Sequence, residues 1–166
     1  MPEVEFRPEQ LLEVLTRRRV RYVLIGGFAA VIHGSPYLTT DLDVVPDAAP
    51  DNLEHLSDAL TELHAKVWTE SDPEGVPFDH DATSLASKRM WNLVTDLGWL
   101  DIAFEPSGTQ GYADVARDAV HLTILGVEVD VASLADVIRS KEAAGRDKDR
   151  LVLPVLRRIQ EGTDRR

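Results

Sequence analysis

Two periods of hydrophobic and polar positions succeed each other along this chain. Leu11, Leu12 and Leu15 share one side of a helix predicted over Pro8 to Arg19, with Pro8 in its first turn and arginines at its C-terminal end. The apolar run Tyr22 to Ile25 predicts a strand, and Phe28 to His33 a short helix closed by Gly34. A turn at Ser35-Pro36 leads to a second strand, in which Asp41 and Asp43 alternate with Leu42 and Val44. Asp51 reads as the N-cap of a helix to about Lys66, because Leu53, Leu56, Leu60 and Leu63 recur at spacings of three and four. Thr69 to Ser87, with Pro73, Gly75 and Pro77, is irregular and is the candidate for a mobile or substrate-facing loop. Trp91 to Asp96 and Trp99 to Glu105 predict strands around Leu97-Gly98. Gly111 to Arg117 predicts a short helix, and Val120 to Leu125 with Val127 to Val131 a hairpin turning at Gly126. Ser133 caps a helix whose apolar stripe is Leu134, Val137, Ile138 and Lys141. A last helix runs from Lys148 to Glu161, where Pro154 is expected to bend or interrupt it.

At 166 residues the expectation is a single domain, 1–166, with about 132–166 a C-terminal helical segment packed on it. Hydrophobic residues make up 43% and charged residues 28%, an ordinary globular balance without repeats or low-complexity tracts. No 18-residue apolar run exists and the segment MPEVEFRPEQ is polar, so neither a membrane span nor a secretory signal is expected and a cytoplasmic location is the default. The absence of cysteine excludes disulfides and thiolate metal sites. A net charge of −11 argues against wrapping nucleic acid over a broad surface. Yet Arg139 to Arg166 carries nine basic against five acidic residues, and Arg17, Arg18, Arg19 and Arg21 form a second basic patch. That distribution suits gripping a few phosphates, those of a nucleotide or of one RNA end.

The candidate chemistry lies between Tyr22 and Val45. A strand ending in Gly26-Gly27 lets backbone approach a bulky anion, since no Cβ intervenes and the next helix offers unpaired N–H groups. Asp41 follows fourteen residues after Gly27, and in a strand Asp41 and Asp43 point to the same side. Adjacent carboxylates repel unless a cation sits between them, and Mg²⁺ is commonly held by one or two carboxylates with phosphate oxygens. Phosphate seat and metal seat thus share a βαβ-like unit. A third acid is expected from the polar face of Trp99 to Glu105, with Asp101 favoured over Glu105 and over Asp130. Lys141, in an apolar stripe, either meets a partner or runs its stem outward to water. His33 reads as a helix-end residue. Asp79-His80-Asp81 is metal-like in residue type.

Gly26-Gly27, then His33-Gly34 and Thr39 before Asp41-Leu42-Asp43, a later Leu100-Asp101, and Lys141 to Asp149 reading KEAAGRDKD together resemble the nucleotidyltransferase superfamily with the polymerase β fold. More narrowly, they resemble small bacterial AbiEii-type and MenT-type toxin nucleotidyltransferases, over Tyr22 to Asp149. The resemblance implies an α+β fold, a mixed β-sheet with helices mainly on one face plus C-terminal helices. It implies that Gly26, Gly27 and Thr39 contact the triphosphate and that Lys141 neutralises its β- or γ-phosphate, with Arg146, Lys148 and Asp149 packed around the lysine. It implies that Asp41, Asp43 and Asp101 hold Mg²⁺, two ions, with Mn²⁺ as the alternative, and that Asp101 helps deprotonate the acceptor. A basic residue that relatives carry near Tyr37 is missing.

The implied activity is metal-dependent transfer of a nucleoside monophosphate from an NTP such as ATP to a hydroxyl of RNA, for instance a tRNA 3′ end, or of a protein. A toxin of this kind would be restrained by a cognate antitoxin. A non-catalytic nucleotide- or partner-binding module is the first alternative, but it has no need to crowd three acids. An antibiotic adenylyltransferase is the second. An acidic cleft would suit a cationic aminoglycoside, yet relatives of that kind usually add a helical domain for which 166 residues leave little room.

Overall fold

The computed structural model describes residues 4–165; Met1 to Glu3, part of the polar N-terminus, and Arg166, the last residue of the basic tail, lie outside the described residues. Fourteen elements follow one another: α1 (Pro8–Arg17), β1 (Tyr22–Ile25), α2 (Gly26–Ile32), β2 (Asp41–Pro46), α3 (Pro50–Glu62), β3 (Lys66–Val67), α4 (Ala82–Ala86), β4 (Met90–Thr95), β5 (Gly98–Ala103), α5 (Tyr112–Arg117), β6 (Val120–Ile124), β7 (Val127–Val131), α6 (Leu134–Ala144) and α7 (Asp147–Asp164). The strands form one seven-stranded sheet of order β3-β4-β5-β2-β1-β7-β6. β2 and β5 are parallel, as are β1 and β7, whereas the remaining neighbours are antiparallel. The architecture is therefore the expected α+β arrangement of a mixed sheet with helices. Among the described residues no helix is long and apolar enough to cross a membrane.

Alternation along the central strands separates an apolar face from an acidic one. Leu42, Val44, Leu100, Ile102 and Leu93 are at most 1% exposed and form one face. Trp91 shares it, its indole Nε1 donating to the Leu85 carbonyl of α4 at 3.0 Å. α3 packs on α4 and α1 on α3, burying Leu11, Leu12, Leu15, Leu53, Leu56 and Leu60 in a continuous core. Asp41, Asp43 and Asp101 point to the other side.

Four local expectations need correction. β1 and β2 are antiparallel, with Ile25 opposite Asp43; α2 and the turn at Ser35-Pro36 send the chain back beside β1, so the unit is no parallel βαβ crossover. The N-cap of α3 is Ala49, not Asp51, because Pro50 occupies the first helical turn and needs no N–H partner. Asp51 instead pairs with Arg21 at 3.2 Å, and the chain leaves the helix at Glu62, so that Lys66 enters β3. α7 runs unbroken through Pro154; the proline is exposed, while buried Val152, Leu153 and Leu156 hold both halves against the core.

The segment 69–87 is the fourth. Phe78 stacks on Trp91 with ring centroids 5.4 Å apart, which fixes the segment on the sheet face opposite the acids. Val76 pairs with Val67, Ser57 Oγ meets His80 Nδ1 at 2.7 Å, and Asp81 caps α4 through the Ser84 N–H at 2.8 Å. Burial lowers the pKa of His80 from the ordinary imidazole value. His80 and Asp81 thus serve the packing of α3 and the capping of α4, Asp79 is exposed, and among the described residues the three form no metal-type cluster.

Candidate active site

Strand order gathers the site. β5 pairs in parallel with β2, placing Asp101 directly opposite Asp43 and Trp99 opposite Asp41. One oxygen from each of Asp41, Asp43 and Asp101 lies within 4.8 Å of the others. The rival acids go elsewhere: Glu105 faces Arg89 at 3.8 Å, and Asp130 binds His121 Nδ1 at 2.8 Å.

Crowding sets the electrostatics. Burial, then the neighbouring Asp41 charge, pushes the Asp43 carboxyl up to about 6, against the opposing pull of an Asp101 hydrogen bond and of Lys148 and Lys141. Burial followed by the charges of Asp43 and Asp41 pushes Asp101 up to about 8. Three carboxyls therefore cannot all ionise comfortably at neutral pH without a cation. The donor set, hard oxygens only, fits a divalent ion such as Mg²⁺.

The glycine pair divides its labours. Gly26 has φ +75, and a Cβ there would come within 2.7 Å of the Asp43 Cγ. Only glycine both adopts that left-handed backbone and leaves room for the carboxylate. Gly27 stands next to Thr39, whose Oγ1 would be 3.2 Å from an added Cβ. The Thr39 hydroxyl donates to Asp41 Oδ1 at 2.6 Å and so orients that carboxylate. His33 caps the end of α2 and meets the Ala132 carbonyl at 2.8 Å.

Cations enter from α6 and α7. Lys141 is 8% exposed, and its Nζ lies 3.4 Å from Asp149 Oδ1. Asp149 is fully buried and also accepts from Arg146 Nε at 2.8 Å. Burial works against the Asp149 charge, but the Arg146 guanidinium and Lys141 outweigh it and lower its pKa. Lys141 thus finds a partner within the fold rather than reaching water alone. Arg146 and Lys148, which the sequence places around Lys141, line a cleft together with Gly27, Tyr37, Thr39 and all three acids. Lys148 has no ion-pair partner among the described residues. A second cleft shares Asp43, Asp101, Lys141 and Arg146 with the first, then diverges toward Met90, Asn92 and Ser107. Gly26 lines this second cleft and not the first. The arrangement can hold divalent cations between two clefts, one of them rich in cationic side chains.

No protein-family model matches the chain, and no curated protein does. Solved structures do share its fold. The Thermotoga maritima protein TM1012, assigned provisionally as a nucleotidyltransferase, superposes with a TM-score of 0.56 at 15% identity, over 99% of this chain and 98% of that one. The lincosamide antibiotic adenylyltransferase LnuA, in its lincomycin-bound structure, gives a TM-score of 0.60 at 16% identity, over 93% of this chain and 99% of its own. The span of LnuA removes the size objection raised above, since an antibiotic adenylyltransferase of this fold needs no added helical domain. The fold of this chain is that of these nucleotidyltransferase structures.

Proposed function

We propose that the chain is a divalent-metal-dependent nucleotidyltransferase that moves a nucleoside monophosphate from an NTP to an acceptor hydroxyl. The observation that carries this reading is the meeting of three carboxylates within 4.8 Å beside a glycine turn and a cleft bearing Lys141, Arg146 and Lys148. Crowding acids against their own repulsion is a cost that a mere binding module has no reason to bear.

In this reading the triphosphate lies in the first cleft, with Gly27 and Thr39 on one wall and Lys141, Arg146 and Lys148 on the other. Asp149 holds Lys141 and Arg146 at fixed positions, so their charges meet the phosphates without reorganisation. Lys148, which lines the same cleft as Tyr37, supplies the cation that the resemblance expects near that position. Asp41, Asp43 and Asp101 would hold Mg²⁺, two ions, or Mn²⁺ in its place; when bound, such ions neutralise phosphate charge and acidify the attacking hydroxyl. The acceptor oxygen forms a bond to the α-phosphorus, the bond from that phosphorus to the β-phosphate bridging oxygen breaks, and pyrophosphate leaves. The hydroxyl proton passes to the ionised carboxylate of Asp101, the acid nearest the acceptor in this reading.

The acceptor is an RNA end or protein hydroxyl, as for a toxin restrained by an antitoxin in the cytoplasm, or a small molecule. LnuA, a lincosamide antibiotic adenylyltransferase of nearly the same span, is consistent with the small molecule. Incubating the full chain with each α-labelled NTP, Mg²⁺ and, separately, total RNA, protein extract and small hydroxyl compounds tests the proposal. Label should move to one acceptor class and be lost in Asp41→Ala and Asp43→Ala; transfer surviving both substitutions refutes it.

A further inference from the structure

The two clefts that meet at Asp43 and Asp101 differ in chemistry. The first carries Lys148 and the Thr39 hydroxyl beside the glycine turn. The second, about 280 Å³ and open to solvent, is walled by Met90, Ala103, Pro106 and Val137, with neutral polar groups at Asn92 and Ser107. That volume lies at the lower edge of the range for small-ligand sites, about 300 Å³. Among the described residues no acid apart from Asp43 and Asp101 lines it, and its only cations are Lys141 and Arg146, both shared with the first cleft and both tied to Asp149.

We infer that the second cleft is the acceptor site and that it takes an uncharged hydroxyl compound with an apolar face, positioned by Asn92 and Met90. The inference rests on the nucleotidyl-transfer reading and names its acceptor class. In-line attack requires the acceptor oxygen to approach the α-phosphorus from the side away from the leaving pyrophosphate. With the triphosphate in the first cleft, the adjoining second cleft, which shares Asp43 and Asp101 with it and adds Asn92, is the place left for the acceptor. Asn92 stands opposite Asp101 on the adjoining strand. It is exposed, and its side-chain amide has no hydrogen-bond partner among the described residues. Its donor and acceptor are free to hold a hydroxyl next to the reacting one. Met90, 52% exposed on the same sheet face, offers an adaptable apolar surface.

Charge selects against the other acceptor classes. A polyamine such as an aminoglycoside would lie against Lys141 and Arg146 with no acid left to receive its ammonium groups once Asp43 and Asp101 hold metal. An RNA end needs cations along its backbone. Beyond Lys141 and Arg146, both tied to Asp149, no cation lines this cleft among the described residues, and the chain as a whole carries −11.

The test uses the full chain with Mg²⁺, α-labelled NTPs and four probes: p-nitrophenyl β-glucoside and octyl β-glucoside as uncharged acceptors, kanamycin as a polycation, and total tRNA. Label is expected on a glucoside, with the acceptor KM rising about tenfold in Asn92→Leu and in Met90→Glu while the Kd for a non-hydrolysable Mg²⁺–NTP analogue, read by calorimetry, stays within about twofold. The unchanged Kd also shows that both variants fold. Label on kanamycin or tRNA but on neither glucoside, no label on any probe with the analogue still bound, or an acceptor KM indifferent to both substitutions overturns the acceptor assignment. Failure of the unsubstituted chain to bind the analogue overturns the nucleotidyl-transfer reading, and the acceptor assignment with it.

Discussion

Asp43 and Asp101 face each other across parallel strands β2 and β5; burial and the Asp41 charge raise Asp43 to about 6 against an opposing hydrogen bond from Asp101, and burial with the charges of Asp43 and Asp41 raises Asp101 to about 8. A carboxyl whose folded pKa exceeds its unfolded value near 4 contributes stability in full only below pH 4 and loses it as pH rises through the folded pKa. Metal-free protein should therefore lose Tm between about pH 4 and pH 8. Mg²⁺ should restore more at pH 8 than at pH 5, because the ionised acids bind it. Asp101→Asn should flatten the decline and stabilise the metal-free chain at pH 8 by on the order of 1–2 kcal/mol. Scanning calorimetry across this pH range, with and without Mg²⁺, decides; a wild-type profile matching that of Asp101→Asn would count against the coupling.

Gly26 and Gly27 should respond differently to alanine. Gly26→Ala forces a left-handed backbone on alanine, costing about 1–2 kcal/mol, and drives a methyl into the Asp43 carboxylate. Both Tm and metal affinity should fall. Gly27→Ala meets only the Thr39 side chain and should keep Tm within a degree or two while raising the KM for NTP. Equal Tm losses for the two would show that the Asp43 contact is not what requires glycine.

The buried Lys141–Asp149 pair predicts an asymmetry. Asp149→Asn leaves the Lys141 ammonium and the Arg146 guanidinium without their carboxylate, a loss of roughly 3 kcal/mol by the measure of broken buried pairs. Lys141→Met leaves Asp149 still bound to Arg146 at 2.8 Å and should cost less, while weakening NTP binding. Urea unfolding of both variants measures the difference, and a larger loss for Lys141→Met would contradict it.

Much of this was legible in the chain. Asp41 and Asp43 declare a shared face by their two-residue spacing, and the leucine stripes of α1 and α3 announce the core. What periodicity could not supply was adjacency. Alternation puts Asp101, Glu105 and Asp130 equally on polar faces, and only the order β5-β2 selects the first. Likewise a proline in a helical pattern signals a break unless one knows that Val152 and Leu156 are buried on either side of it. Arg146 and Lys148 carry a readable signal, two cations five and seven residues after Lys141, but their reach into the cleft depends on the turn at Gly145, with φ +62.

Lys148 offers a test of the phosphate cleft without a stability penalty. It lines the cleft and is exposed, so Lys148→Ala should leave Tm unchanged. Loss of one charge-assisted contact, about 1.5–3 kcal/mol, should raise the KM for NTP roughly 10- to 100-fold with little effect on that for the acceptor. Steady-state kinetics with each substrate varied in turn reads both values; an unchanged KM for NTP would remove Lys148 from the phosphate site.

The most direct examination of the carboxylate centre is a Mn²⁺ titration followed by electron paramagnetic resonance, with a non-hydrolysable NTP present. The wild-type chain should bind Mn²⁺ in an NTP-dependent manner, and the double variant Asp41→Asn, Asp43→Asn should lose that binding while keeping its circular dichroism. Equal Mn²⁺ binding by the two proteins would contradict a metal centre built on these acids.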